Sequence, residues 1–184
     1  MPGMTEKTPT DLAGARVTLD PEQIRRIIEF ARSEVFDRTY AEGMGLVEET
    51  AAYLDGPGRA ASKRLSRTAA LAYAGESMRL TTRLMQVASW LLVQRAVRDE
   101  EITIRDAADE KYRFTARRRL EEAFAGFEEL PADLRELMRR SESLFERVQR
   151  LDETMYAPKA AAVEPEGVAA QLSRLKDAFG SLQG

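Results

Sequence analysis

One strip of a long predicted helix carries the side chains best suited to bind another protein. Arg79 and Arg83 lie one helical turn apart, and Trp90 falls on the same strip when residues are placed 100° apart around the helix axis. Arginine pairs with carboxylates through two hydrogen bonds and stacks on aromatic rings, so arginine close to tryptophan is typical of an interface anchor. The alternative is that these arginines form ion pairs with glutamates within a helical bundle.

Three glutamates, Glu48, Glu49 and Glu76, are the candidate partners in that alternative, and they also suggest a metal site. A di-iron site in a four-helix bundle needs two Glu-x-x-His motifs, and the chain has no histidine. The chain also has no cysteine, which excludes disulfides, thiolate nucleophiles and cysteine-containing zinc sites. Without histidine there is no Ser-His-Asp triad. We therefore expect no catalytic residue, no metal and no cofactor, and an enzyme that uses carboxylates alone is the least favoured alternative.

A glycine-rich turn between two long predicted helices is a further candidate site. Residues 55–58 (DGPG) are followed by Arg59, but they lack the Lys-Ser/Thr ending of a P-loop and follow no predicted strand. Two glycines and a proline at this place are explained by turn geometry. Arg59 stays a candidate contact for a partner, together with the strip of Arg79, Arg83 and Trp90.

Short clusters of basic residues leave nucleic-acid binding as an alternative function. These clusters are Lys63-Arg64, Arg117-Arg118-Arg119 and Arg139-Arg140. Acidic residues such as Glu121 and Glu122 follow closely, and the formal net charge of the chain is −3. A solvated surface is therefore favoured over a helical nucleic-acid-binding regulator that uses its arginine clusters.

Capping residues predict where the first long helix begins. Asp20 and Gln23 form a predicted capping box, and the helix continues to Leu54. The apolar residues change face just before Gly43 and Gly45, which predicts a bend or two halves with different neighbours. The first stripe comprises Ile24, Ile28, Ala31 and Val35, and the second comprises Phe36, Tyr40, Met44, Val47, Ala51 and Leu54.

The second long helix, from about Ser66 to Val97, has two apolar faces. One face comprises Ala69, Tyr73, Leu80, Leu84, Val87 and Leu91, and the other comprises Leu71, Ala74, Met78, Met85 and Leu92. A helix that is apolar on two sides lies at the centre of a bundle or contacts a second subunit. We assign Met78, Met85 and Leu92, which are one heptad apart, to the surface of a homodimer.

Two further elements follow along the chain. Thr103 is a predicted N-cap for a short helix to about Tyr112, and the spacing of apolar residues suggests another short helix within residues 113–130. Pro131 opens a third long helix that ends near Tyr156. Its apolar stripe comprises Leu134, Met138, Ser141, Phe145, Val148 and Met155.

The C-terminal tail has an amphipathic pattern of its own. Residues 157–167 read as a linker, and the apolar residues after them are Val168, Leu172, Leu175, Phe179 and Leu182. Such a short helix forms only against a groove. The groove belongs either to a partner or to this protein's own bundle or dimer mate, and the two could alternate so that a partner releases an autoinhibited tail.

These elements together predict an all-α fold, a bundle of three long helices with a short connecting helix, because no stretch alternates with the period of a strand. We divide the chain into a mobile leader (1–19), a helical bundle (20–156) and a flexible linker with the amphipathic tail (157–184). The longest apolar run, residues 87–93, is too short to span a bilayer, and the N-terminus has no secretory core. We expect a cytoplasmic protein.

Several segments in order resemble the RcdA family, the regulators of CtrA degradation in alpha-class proteobacteria. These segments are 53–59 (YLDGPGR), 77–86 (SMRLTTRLMQ), 88–92 (ASWLL), 147–152 (RVQRLD) and 168–179 (VAAQLSRLKDAF). The resemblance covers about residues 24–112 and 131–182. It implies a helical, dimeric adaptor without catalytic activity, which helps to deliver cell-cycle regulators such as CtrA to the ClpXP protease. It also implies that CpdR and PopA act alongside it and that the protein gathers at the cell pole.

Overall fold

The computed structural model describes residues 19–114 and 124–156, and the regular structure in these two ranges is entirely helical. The helices are α1 (Pro21–Ala31), α2 (Glu34–Asp55), α3 (Pro57–Ser62), α4 (Arg67–Arg98), α5 (Ile104–Ala107) and α6 (Ala132–Tyr156). Two 3₁₀ turns, Glu110–Tyr112 and Phe127–Glu129, lie between α5 and α6. The predicted all-α fold with three long helices is confirmed.

The predicted helix starts are confirmed by their capping hydrogen bonds. The Asp20 carboxylate accepts from the Gln23 backbone N–H at 2.8 Å, and the Gln23 side chain accepts from the Asp20 N–H at 2.9 Å. The Ser66 hydroxyl accepts from the Ala69 N–H and so caps α4. The Thr103 hydroxyl likewise caps α5. These side chains satisfy N–H groups that have no partner within the helix itself.

The prediction of one continuous helix over residues 20–54 is wrong, because the chain breaks after Ala31. The Ser33 hydroxyl donates to the Phe30 carbonyl at 2.7 Å and accepts from the Phe36 N–H at 3.2 Å, so one side chain ends α1 and starts α2. The break lies well before the glycines at which a bend was expected. Helix α3, which starts with a proline at its first turn, was also not predicted.

The buried face of α2 is displaced by one residue from the predicted stripe. The buried residues are Phe36, Thr39, Gly43, Leu46, Thr50 and Tyr53. The predicted residues Tyr40, Met44, Val47 and Leu54 are only partly buried beside this face, and Ala51 is exposed. On the first stripe, Val35 is exposed as well. Small side chains take the centre of the α2 face because α2 approaches α4 closely there, which apolar periodicity alone does not reveal.

Helix α4 is the central element, since it packs against α2 on one side and α6 on the other. Helix α1 lies across α4 and α6 at the end of the bundle where α6 terminates. The fully buried core is formed by Ile27, Phe36, Leu46, Leu80, Val87, Leu91, Leu134, Leu144 and Val148. None of the helices in the described ranges combines the length and the apolar character that a membrane span requires.

Some predicted elements lie outside the described residues. Half of the segment 113–130, in which an extra helix was expected, lies outside the described residues (115–123), and the described half contains the 3₁₀ turn Phe127–Glu129. The amphipathic tail, with Val168, Leu172, Leu175, Phe179 and Leu182, and almost all of the predicted leader also lie outside.

Candidate partner-binding surface

Trp90, one of the predicted anchors, is a buried residue of α4 and contacts both α6 and α1. Its side chain is only 2% exposed, and its indole N–H donates to the Asp152 carboxylate of α6 at 2.9 Å. The Trp90 ring lies 5.8 Å from the Phe30 ring of α1. Two nitrogens of the Arg113 guanidinium donate hydrogen bonds to the same Asp152 carboxylate, at 3.0 Å and 2.8 Å. Charge-assisted, two-point hydrogen bonds of this kind fix both partners in orientation.

Arg79 and Arg83 also form contacts within the bundle. Arg79 pairs with the buried Glu76 one turn earlier, at 3.0 Å, and its guanidinium stacks on the Phe124 ring at 4.2 Å from the centroid. Arg83 donates to the hydroxyl of Ser141 on α6 at 3.1 Å. The ion pair with Glu76 is thus present, whereas Glu49 pairs with Arg140 instead of with Arg79 or Arg83.

Arg59 is the member of the predicted set that is exposed, on the short helix α3. The preceding turn is fixed by packing, because a Cβ atom at Gly58 would lie 2.6 Å from the Tyr53 ring and 2.8 Å from the Tyr53 carbonyl oxygen. The structure therefore brings Trp90, Arg83 and Arg79 into the groove between α4 and its neighbours, and leaves Arg59 apart from them.

A second polar contact closes the end of the bundle and was not predicted. The Gln94 amide on α4 lies 3.4 Å from the Tyr156 hydroxyl, and the Tyr156 carbonyl accepts from the Gln23 side chain at 3.1 Å. Burial raises the pKa of Tyr156 above its ordinary value of 10.0. The Arg113 guanidinium stacks on the Tyr156 ring at 3.9 Å, so this contact adjoins the Asp152 carboxylate.

The outer face of α4, opposite this polar strip, is apolar and exposed. Its four large residues are Leu71, Met78, Met85 and Leu92, which are exposed by 68%, 73%, 65% and 50%. They follow one another at intervals of seven residues and include the predicted dimer residues Met78, Met85 and Leu92. An open hollow of about 390 Å³, with Met85, Ser89 and Tyr112 in its lining, borders this face. Contiguous exposed apolar surface is a common feature of sites of protein interaction.

The basic clusters that suggested nucleic-acid binding are partly neutralised. Arg139 pairs with Glu136 at 2.6 Å, and Arg140 pairs with Glu49 at 2.8 Å. The cluster Arg117-Arg118-Arg119 lies outside the described residues. Within the two described ranges, acidic side chains form no group of three that could hold a metal ion.

Comparison with known proteins relates this geometry to a family. The family described as "Protein of unknown function (DUF1465)" matches residues 27–179. The crystal structure of RcdA from Caulobacter crescentus CB15 matches with 60% sequence identity and a TM-score of 0.59. The match covers 71% of this chain and 98% of that chain. No curated protein matches the chain.

Proposed function

This chain belongs to the RcdA family, and we propose that it is a non-enzymatic adaptor that holds a client protein and tethers it to a protease. The observation that carries the proposal is the 60% identity to a solved RcdA chain over 98% of that chain's length. The large exposed apolar face of α4 supports it, because such a face suits a protein whose work is binding.

By this proposal the protease is ClpXP, the client is CtrA or a similar cell-cycle regulator, and CpdR and PopA act alongside the adaptor at the cell pole. The adaptor performs no covalent step. It raises the effective concentration of the client at the protease, so degradation accelerates most when the client is dilute.

In this proposal the chain has three parts with different roles. Residues 20–156 are the folded bundle, residues 1–19 are a leader, and residues 157–184 carry the partner-binding tail. Two copies meet through Met78, Met85 and Leu92, whose exposure supports this role. Arg59 offers an exposed cation to a partner on the α3 side of the bundle.

Reconstitution with purified ClpXP, CpdR, PopA and CtrA tests the proposal. We expect this protein to accelerate the degradation of CtrA in proportion to its concentration until its binding sites are saturated. An unchanged rate over the whole range of adaptor concentrations contradicts the proposal. Arg59→Ala should weaken delivery without lowering the melting temperature, since the Arg59 side chain is exposed.

Variants of the outer face test the proposed dimer. Met85→Glu places a charge at the centre of that face, whereas Ser143→Glu places the same charge on an exposed position of α6 and serves as the control. In sedimentation at micromolar concentration, we expect the wild type and Ser143→Glu to be dimers and Met85→Glu to be a monomer. A wild-type monomer at that concentration contradicts the dimer.

A further inference from the structure

The outer face of α4 has the residue spacing of a coiled-coil seam. Leu71, Met78, Met85 and Leu92 occupy one heptad position, and Ala74, Thr81 and Ala88 occupy the position that alternates with it at steps of three and four. We call these seven residues the seam. Two positions that alternate in this way keep one stripe of a helix facing a second helix over several turns.

The seam carries no charge, although it faces outwards. Between Leu71 and Leu92 the charged residues are Glu76, Arg79 and Arg83. All three lie on the opposite side of α4, where Arg79 pairs with Glu76 and Arg83 bonds to Ser141 of α6. A solvent-facing side of an amphipathic helix ordinarily carries charged residues, so a neutral apolar side is expected to be covered by another helix.

The tail has the matching pattern and starts at the appropriate end. Val168, Leu172, Leu175, Phe179 and Leu182 follow one another at steps of four and three. Helix α6 ends at Tyr156, which contacts Gln94, two residues beyond the Leu92 end of the seam. Residues 157–167 can span about 36 Å when extended, at about 3.3 Å per residue, and the diameter of α4 with its side chains is only about 10–12 Å.

We propose that residues 168–182 dock on the seam of their own chain as a helix antiparallel to α4. Val168 then lies near the Leu92 end, and Leu182 lies towards Met78. At about 1.5 Å per residue, the apolar part of the tail is about 21 Å long and covers about two thirds of the 32 Å seam. The inference rests on the proposed use of the seam and the tail as binding surfaces: the docked tail and a second copy compete for the seam, and a second copy displaces the tail at micromolar concentration.

Pairs of introduced cysteines test the docking, because the natural chain contains no cysteine that could interfere. Thr81→Cys lies at the centre of the seam, and Ala178→Cys flanks the apolar side of the tail helix. The matched control combines Thr81→Cys with Asp177→Cys, the adjacent position, which falls on the polar side of the same helix. Both pairs have the same linker, so they differ in the orientation of the tail and not in its reach.

At high dilution, we expect the Ala178→Cys pair to form its intramolecular disulfide at least about tenfold faster than the Asp177→Cys pair, since only the former brings the two Cβ atoms within bonding range. Adding Met78→Glu to the first pair should reduce its rate to that of the control. Equal rates for the two pairs overturn the proposal, and so does a disulfide that joins two chains, because a second copy then provides the tail.

The degradation assay separates this inference from the proposed function. Oxidised Thr81→Cys/Ala178→Cys protein should deliver the client more slowly than the same protein after reduction, because the locked tail keeps the seam closed. If this variant forms the intramolecular disulfide but does not accelerate degradation, either oxidised or reduced, the adaptor proposal is contradicted and tail docking is still supported. If the variant accelerates degradation but does not form the disulfide, tail docking is overturned and the adaptor proposal stands.

Discussion

Asp152 accepts hydrogen bonds from two donors in different parts of the chain. Trp90 comes from the middle of α4, and Arg113 follows the 3₁₀ turn Glu110–Tyr112. A buried carboxylate is stable only when hydrogen bonds and a cation replace the water that it loses, and these two residues supply both. Asp152 therefore fixes the position of α6 relative to α4 and also anchors the segment around Arg113.

Replacing Asp152 by alanine should strongly destabilise the bundle. The change leaves the indole N–H of Trp90 and the Arg113 guanidinium without their acceptor, and removing one partner of a buried pair costs about 3 kcal/mol or more. The free energy of unfolding in urea measures this loss. Glu153→Ala alters the neighbouring, exposed carboxylate and should change that free energy by less than about 0.5 kcal/mol. Equal effects of the two substitutions would contradict the assigned role.

Two buried threonines on α2 form a matched pair for a second prediction. The Thr39 hydroxyl donates to the Val35 carbonyl at 2.7 Å, whereas the Thr50 hydroxyl has no hydrogen-bond partner among the described residues. Thr39→Val should lower the free energy of unfolding by about 1 kcal/mol, and Thr50→Val should leave it unchanged or raise it, because an unpaired buried hydroxyl carries a desolvation cost. Thermal and urea unfolding of both variants would reveal the difference. Similar losses in both would show that Thr50 is satisfied.

At this scale the sequence places residues on helical faces but does not identify their partners. Arg79, Arg83 and Trp90 lie on one strip, as predicted. Whether that strip faces solvent or α6 depends on Asp152, which is 62 positions from Trp90. One signal was present, since Asp152 lies between Val148 and Met155 on the apolar stripe of α6. A carboxylate in that position indicates a buried donor nearby.

Among the elements, α2 and α4 approach closely at Gly43. A Cβ atom on Gly43 would lie 2.6 Å from a methyl carbon of Leu91, and the side chains of Val87 and Leu144 are 3.8 Å away. Gly45, two residues along, faces open space. The first glycine is therefore needed for the crossing of the two helices, and the second is not.

Alanine substitutions at the two glycines should have different effects on stability. Gly45→Ala should raise the free energy of unfolding by about 1 kcal/mol, because alanine has the higher helix propensity. Gly43→Ala gains the same propensity but overpacks the crossing, which costs about 1–3 kcal/mol. Thermal unfolding of the two variants measures the difference. If Gly43→Ala stabilised the protein as much as Gly45→Ala does, the close crossing would be disproved.

Helix boundaries were predictable wherever a side chain caps a helix in its own sequence neighbourhood. Asp20, Ser66 and Thr103 provide such caps, and each is found where the sequence indicates. Ser33 provides one as well, but it lies between residues that continue a helical apolar pattern, so the pattern concealed the break. The displaced face of α2 was not predictable from apolarity. Gly43 and Thr39 are buried there because small side chains let α2 approach α4 closely.

At the scale of the whole molecule, hydrogen bonds join α1 and α6, the first and last described helices. Gln23 donates to the Tyr156 carbonyl, and Arg26 donates to the Thr154 carbonyl at 3.1 Å. Both acceptors belong to the last described turn of α6, and side-chain donors are typical partners for carbonyl groups at a helix end. Unravelling of α1 would therefore expose the end of α6 and the Tyr156 ring together.

This closure predicts a loss of stability in alkaline solution. Burial raises the pKa of Tyr156 above 10.0, so the folded state favours the protonated phenol more than the unfolded state does. The resulting contribution to stability is fully present below about pH 10 and is lost as the pH rises through the raised pKa. Tyr156→Phe cannot ionise, and its free energy of unfolding should fall less steeply above pH 10. Urea unfolding followed by Trp90 fluorescence measures both profiles, and parallel curves would contradict the prediction.

A large apolar residue recurs every seven residues along the seam, so similar side chains follow one another at equal spacing. Leu71, Met78, Met85 and Leu92 are about 10.5 Å apart along the helix axis, and no charged residue lies among the seven residues of the seam. The two central residues are methionines, whose unbranched and polarisable side chains adapt to differently shaped neighbours. The α4 face is thus suited to apolar helices of more than one sequence.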